Sequence, residues 1–338
     1  LEAQSLIDSA AAAAKAQSAL SLDPHGLAVG DVHGLAFRPD GKVMAVSAGG
    51  THELLVFRLD RHQLPWRRNG SRDLMDPELV KDAGRFRRVP LDGRPTEIAF
   101  APDGPNVYVA NYLLDAVQIV DTEEAKLITT IPLGGPKEQS LARRGEWLFH
   151  DATRSFHQWY SCNTCHSDGH TNGGNYDTLN DGWQDLSTAH ARSHKKVPTL
   201  RRVLKTGPWT WHGWQKDLDQ AMAESFTKSM QGPKPSPDEM KAIVAFLDTL
   251  DYPRNPYRDA GGELTPAAKR GEAISRSSKS ACAACHGGPE LTDGQVHDVG
   301  LGEPGDVFRG HNPPSLRGLY DKDPYLHAGR AATLRAAL

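Results

Sequence analysis

Between residues 31 and 135 the apolar residues come in short bursts separated by turn residues. Val43-Met44-Ala45-Val46-Ser47 and Val107-Tyr108-Val109-Ala110-Asn111 are rich in the types that favour strands. Each follows a Pro-Asp-Gly turn, Pro39–Gly41 and Pro102–Gly104, and each turn follows another apolar stretch, His33–Arg38 and Glu97–Ala101. Proline presets the turn, and glycine supplies the positive φ that it needs. Third strands are predicted over Glu53–Leu59 and Ala116–Asp121. From Gln139 the pattern becomes helical and rich in loops. Ser236-Pro237-Asp238-Glu239 predicts a helix start, with serine as cap, proline at the first position and glutamate three residues after the cap. Met240, Ile243, Val244, Leu247 and Leu250 follow at helical spacing. A helix is also expected over Leu218–Phe226, and Tyr252–Glu263 reads as a linker.

The two strand-turn-strand segments are copies, with Pro39 and Pro102 lying 63 residues apart around a polar insertion, Arg61–Lys81. They resemble β-propeller blades that carry a Tyr-Val-x-Asn motif, here Tyr108–Asn111. Two blades cannot close a ring of about four to eight. Further blades outside this chain are therefore expected.

Four cysteines occur in 338 residues, and all fall in two Cys-x-x-Cys-His pentads, Cys162–His166 and Cys282–His286. The flanks repeat with them. Arg144-Gly145-Glu146 corresponds to Arg270-Gly271-Glu272, and Pro198-Thr199-Leu200-Arg201 to Pro314-Ser315-Leu316-Arg317. Pro208–Gly213 likewise corresponds to Pro324–Gly329. The expected architecture is multidomain: a partial, all-β propeller followed by two mostly α-helical cytochrome c-type domains. The boundaries are an N-terminal helical segment over 1–25, blades over 26–136, a first haem domain over 137–255 and a second over 256–338 that stops short of its full repeat.

Two thiols on one helical turn can bond the two vinyl groups of a haem, and the histidine that follows then reaches the iron. A zinc pair or a redox dithiol is the rival, but one pentad offers only three of the four ligands that zinc requires. Two covalently bound haem c groups are thus expected, held by Cys162, Cys165, Cys282 and Cys285, with His166 and His286 on the iron. Covalent haem attachment takes place outside the cytoplasm, so a periplasmic location is expected. The chain opens at Leu1, with no signal peptide, and reads as a processed or trimmed product. A net charge of −3 gives no basic field for nucleic acid, and no apolar run is long enough to span a bilayer.

The outer face of each haem decides between electron transfer and small-molecule chemistry. Met230, His212, His170, His190 and His194 are the candidates for the first haem. Met230 is preferred, because a thioether is a standard ligand in c-type cytochromes. His212 ranks second, with a propionate contact as its alternative. For the second haem His327 corresponds to His212, and the counterpart of Met230 would lie beyond Leu338.

Residues 264–338 resemble the electron-transfer half of bacterial di-haem cytochrome c peroxidases. The resemblance rests on Lys269–Ala273, Cys282–His286, Gly288-Pro289, Leu291–Asp293, His297–Gly300, Pro314–Arg317 and Pro324–His327. The di-haem enzyme of methylamine utilisation shares this architecture. The first haem unit is similar to the peroxidatic half through Cys162–His166, Pro198–Leu200 and Trp211–Leu218. The resemblance implies that the second haem passes electrons, drawn from a redox-protein donor, to the first, which reduces hydrogen peroxide. It also implies an acid–base glutamate over the first haem. Gln231 stands at that position, and Glu224 is the nearby carboxylate on the same helix. Glutamine cannot exchange a proton as a carboxylate does. An electron-transfer di-haem cytochrome with the blades as a docking module is the alternative.

Overall fold

The computed structural model describes residues 28–60, 77–136, 138–176, 194–302, 306 and 308–338. The predicted N-terminal helix, most of the polar insertion and His190 lie outside them. The chain divides into two compact units, one ending at Thr164 and the other starting at Cys165.

The first unit holds two four-stranded antiparallel sheets. Strands β1 (Val32–Phe37), β2 (Val43–Ala48), β3 (Glu53–Arg58) and β4 (Phe86–Pro90) pair in chain order, with helix α1 (Pro77–Lys81) between β3 and β4. Strands β5 (Pro95–Phe100), β6 (Asn106–Asn111), β7 (Ala116–Asp121) and β8 (Lys126–Pro132) repeat the pattern. Three strands of each sheet were expected, and the fourth is new. In both sheets it follows a loop without a Pro-Asp-Gly signal. The described residues of this unit form two sheets and no closed ring.

Two apolar layers explain why β2 is buried on both faces. Val43, Ala45, Leu54, Val56 and Val89 pack with Val107, Val109 and Val120 of the second sheet. Met44, Val46, Leu55 and Phe57, on the alternate positions, pack with Leu79 and Phe86. A strand enclosed on two sides reads as a continuous apolar run, and this one does.

The asparagine of the Tyr-Val-x-Asn motif ties the second sheet to the segment that connects the two sheets. Asn111 Oδ1 accepts the Arg94 backbone N–H at 2.9 Å, and its amide donates to Asp92 O at 2.9 Å and to Gln118 Oε1 at 2.8 Å. Gln118, 1% exposed, donates to Leu91 O at 2.8 Å. Gly93 sits inside this clasp at φ +56°, where a Cβ would run into the Asn111 side chain. Only glycine suits both that backbone and that space.

Helix α2 (Leu141–His150) closes the first unit, capped by Ser140 accepting from the Arg143 N–H. One-turn helix α3 (Cys162–Cys165) carries the first pentad.

The second unit is built on short helices and loops. Strand β9 (Asn175–Tyr176) pairs antiparallel with β10 (Lys195–Lys196) over two residues. Helix α4 (Leu218–Glu224) ends earlier than expected and continues as a π-turn over Ser225–Ser229. Helix α5 (Pro237–Thr249) has the predicted capping box: Ser236 accepts from the Glu239 N–H, and the Glu239 carboxylate accepts from the Ser236 N–H. Helix α6 (Pro266–Ser275), one-turn helix α7 (Cys282–Cys285) with the second pentad, and α8 (Leu334–Ala337) follow. No helix among the described residues is long and apolar enough to cross a membrane.

The internal repeat extends to the backbone. An isolated bridge joins Trp209 to Gln215, and another joins Tyr325 to Ala331. Thr210 and Leu326 have φ of 68° and 67°, and Gly213 and Gly329 have 61° and 67°. The two copies are also tied to each other. Arg202 makes a two-pronged ion pair with Glu290, at 2.8 and 2.5 Å, and Arg201 reaches Asp321 at 2.8 Å. Paired, charge-assisted bonds of this kind hold orientation as well as distance.

Candidate haem sites and a buried histidine cluster

Each pentad folds as one helical turn, with both cysteines as half-buried thiols outside any disulfide. In the first, His166 follows the turn directly, and its Nδ1 lies 2.9 Å from Pro198 O. A carbonyl can only accept, so Nδ1 carries the proton and Nε2 keeps the lone pair that binds a metal. His166 retains some surface, yet its ring is crowded enough by protein that desolvation pushes its pKa down to about 4. The imidazole is therefore neutral at pH 7, the form that ligates.

In the second pentad His286 Nδ1 faces Leu291 O at the longer distance of 3.4 Å. The surrounding support repeats: Thr171 Oγ1 donates to Val197 O at 2.7 Å, and Thr292 Oγ1 to Pro313 O at 2.6 Å. These bonds hold each pentad's downstream loop against the residue preceding Pro198 or Pro314. Reduced thiol pairs on one turn, each followed by an imidazole whose Nδ1 faces a backbone carbonyl, fit haem.

The outer-ligand candidates are placed unequally. Met230, 2% exposed, lies at the end of the π-turn, its N–H donating to Ser225 O at 2.9 Å. Such turns are frequent at functional positions. Gln231 is exposed and has a φ of 52°. Glu224 is half-buried; it accepts from Gln215 Nε2 at 2.7 Å and Gln220 Nε2 at 3.2 Å, and Lys228 Nζ stands 3.4 Å away. His170 has both ring nitrogens engaged, by Thr199 Oγ1 and Asp321 O, each at 2.8 Å. His194 is exposed.

His212 and His327 come together. His327 Nε2 lies 3.1 Å from Asp306 Oδ2, and His212 Nε2 lies 3.5 Å from Asp306 Oδ1. His311 packs between them, its ring centre 4.7 Å from that of His212 and 4.4 Å from that of His327. Asp306 and His311 escaped the sequence reading. His311 directly precedes Asn312 and the Pro313-Pro314 pair, so position in the repeat could have flagged it. Nothing in the sequence marks Asp306. Desolvation pushes His311 down to about 4 and also lowers His327, so both are neutral at pH 7.

Two candidate haem sites on a repeated scaffold have the form expected of a di-haem redox protein. Residues 139–260 match the sequence profile described as di-haem cytochrome c peroxidase. Hydrazine synthase subunit gamma of Kuenenia stuttgartiensis is 30% identical over 243 residues, covering 59% of this chain and 69% of that protein. The methylamine utilization protein MauG of Methylorubrum extorquens is 28% identical over 264 residues, covering 61% of this chain and 70% of that protein. A solved structure of Kuenenia stuttgartiensis hydrazine synthase aligns with a TM-score of 0.52 at 25% identity, covering 60% of this chain and 79% of that one. The chain belongs to the di-haem cytochrome c peroxidase family. Haem cofactors and a haem-based redox function come with that membership.

Proposed function

We propose that this chain is a periplasmic oxidoreductase with two covalently attached haems, in which the haem at Cys282–His286 passes electrons to the haem at Cys162–His166 for the reduction of hydrogen peroxide. The observation that carries the reading is the repeated pentad with its anchored imidazole. Bound haem supplies redox-active iron and, where its outer face is free, a place for a small oxidant. Cys162 and Cys165 hold the first haem, and Cys282 and Cys285 the second. His166 and His286 offer Nε2 to the irons. Reduction of one peroxide to two waters takes two electrons, from a redox-protein donor, and two protons.

Glu224 is the proposed acid–base group in place of Gln231. It is a carboxylate, it is half-buried, and Gln215 and Gln220 fix its orientation. Gln231 is exposed and has no exchangeable proton of the needed kind. Periplasmic location follows from the chemistry of covalent attachment. The two sheets of the first unit are proposed as propeller blades. Leu35 and Phe37 of β1 and Ile128 of β8 are exposed apolar residues that neighbouring blades would cover.

The buried thioether of Met230 favours a second reading. If it occupies the first iron permanently, the chain only transfers electrons. Mixing the haem-loaded protein with peroxide, oxidised and half-reduced, separates the two. The peroxidase reading requires a high-spin signal in one state and rapid consumption of peroxide. It also requires Glu224→Gln to slow turnover by about 10²–10⁴ with haem content unchanged. Two low-spin irons inert to peroxide in both states would leave electron transfer.

A further inference from the structure

We infer that His212, Asp306, His311 and His327 form a divalent transition-metal site that joins the two haem repeats. His212 comes from the first repeat and the other three from the second. The residues are almost wholly enclosed: His212, His311 and His327 are 4%, 7% and 2% exposed, and the Asp306 side chain is 3% exposed. Ligating atoms of His212, Asp306 and His311 lie within 4.8 Å of one another. His327 shares the same carboxylate at 3.1 Å.

Hydrogen bonding within the protein leaves the donors unspent. Neither ring nitrogen of His311 has a hydrogen-bond partner, nor does His327 Nδ1 or His212 Nε2. Buried polar atoms are rarely left in this state, and one explanation for them is an ion. His212 is held for the task, with its Nδ1 2.8 Å from Gly310 O and its Nε2 turned towards Asp306. A backbone carbonyl on the far nitrogen is the usual support of a metal-bound imidazole.

The donor set selects the metal class. Three imidazoles and one carboxylate suit zinc and its first-row neighbours, whereas calcium and magnesium take oxygen donors. A tetrahedral ion with bonds of about 2 Å sets its donors about 3.3 Å apart, so the widest-spaced pair must close in by up to about 1.5 Å. The nearby Lys195 Nζ, 3.8 Å from Asp306 Oδ1, balances the carboxylate without a metal. It must yield that contact when an ion binds. This inference does not depend on peroxidase activity.

Zinc is the probe. Haem-loaded protein is stripped with a chelator, given zinc and passed through a desalting column. Retained zinc is measured by mass spectrometry, and its surroundings by absorption at the zinc K-edge, where haem iron does not interfere. One equivalent per chain, surrounded by about four nitrogen and oxygen donors, is expected. His311→Ala and Asp306→Asn should each lower zinc affinity at least tenfold with haem content intact. Should His311→Ala fail to fold, Asp306→Asn and the wild-type K-edge spectrum still decide. No retained zinc in haem-loaded protein, retention unchanged in Asp306→Asn, or sulfur in the zinc environment would each overturn the assignment.

Discussion

The Nδ1 atom of His166 lies 2.9 Å from the carbonyl oxygen of Pro198. That bond joins two motifs far apart in the chain and gives the Pro-Thr-Leu-Arg segment a task. The segment presents a carbonyl that sets the tautomer of the histidine next to the thiols. It also supplies Arg201, which reaches Asp321 of the other repeat. In the second repeat the carbonyl facing the pentad histidine comes instead from Leu291, 3.4 Å from His286 Nδ1.

Replacing Cys282 and Cys285 together by serine should leave one covalent haem per chain in place of two. Haem retained after denaturation and solvent extraction measures this directly. Retention of both haems would show that thioether bonds do not hold the second.

Met230→Ala should cost about 2–5 kcal/mol through its cavity alone, whatever the residue binds. Met230→Leu separates packing from ligation. It preserves volume and should cost less than about 1.5 kcal/mol. If the sulfur is on the first iron, the leucine variant nevertheless converts that haem from low-spin to high-spin. An unchanged spectrum in both variants would remove Met230 from the iron.

Asp31 sits between Arg94, at 3.0 Å, and His33, at 3.2 Å, and also accepts from Asn163 of the first pentad at 3.3 Å. Desolvation raises its pKa, but His33 and Arg94 outweigh that and hold it at about 2, below the ordinary 3.8. The folded state thus binds fewer protons than the unfolded one between these values. The stabilisation, about 2 kcal/mol, is complete above pH 4 and disappears as the pH falls to 2. Denaturant unfolding across that window should show this loss, and Asp31→Asn should flatten it.

Lys322 is 9% exposed, and its ammonium donates to Ser315 O at 2.8 Å and to the Tyr252 hydroxyl at 3.2 Å. Desolvation brings its pKa down from 10.5 to about 7. Between these values the unfolded chain holds a proton that the folded chain has released. Stability therefore rises with pH across this window, by at most about 1.4 kcal/mol per pH unit from this group. Lys322→Met should abolish that slope in unfolding measurements between pH 7 and 10.

The sequence by itself established the features written locally. Two pentads, their repeated flanks, the Pro-Asp-Gly turns and the Ser236–Glu239 capping box depend on residues within a few positions of one another. Short-range geometry is carried by residue type, so these were legible. The fourth strand of each sheet was not, because pairing partners rather than turn residues define it. Nor was the end of α4, where the chain passes from α-helix to π-turn before Met230. The tertiary structure decided how distant groups meet. It set His170 between Thr199 and Asp321, left Gln231 exposed and turned Glu224 onto Gln215. It also brought His212 and His327, 115 positions apart, to one carboxylate of Asp306. Such encounters are fixed by how the two repeats pack, and packing depends on the shape of the whole unit rather than on any spacing along the chain.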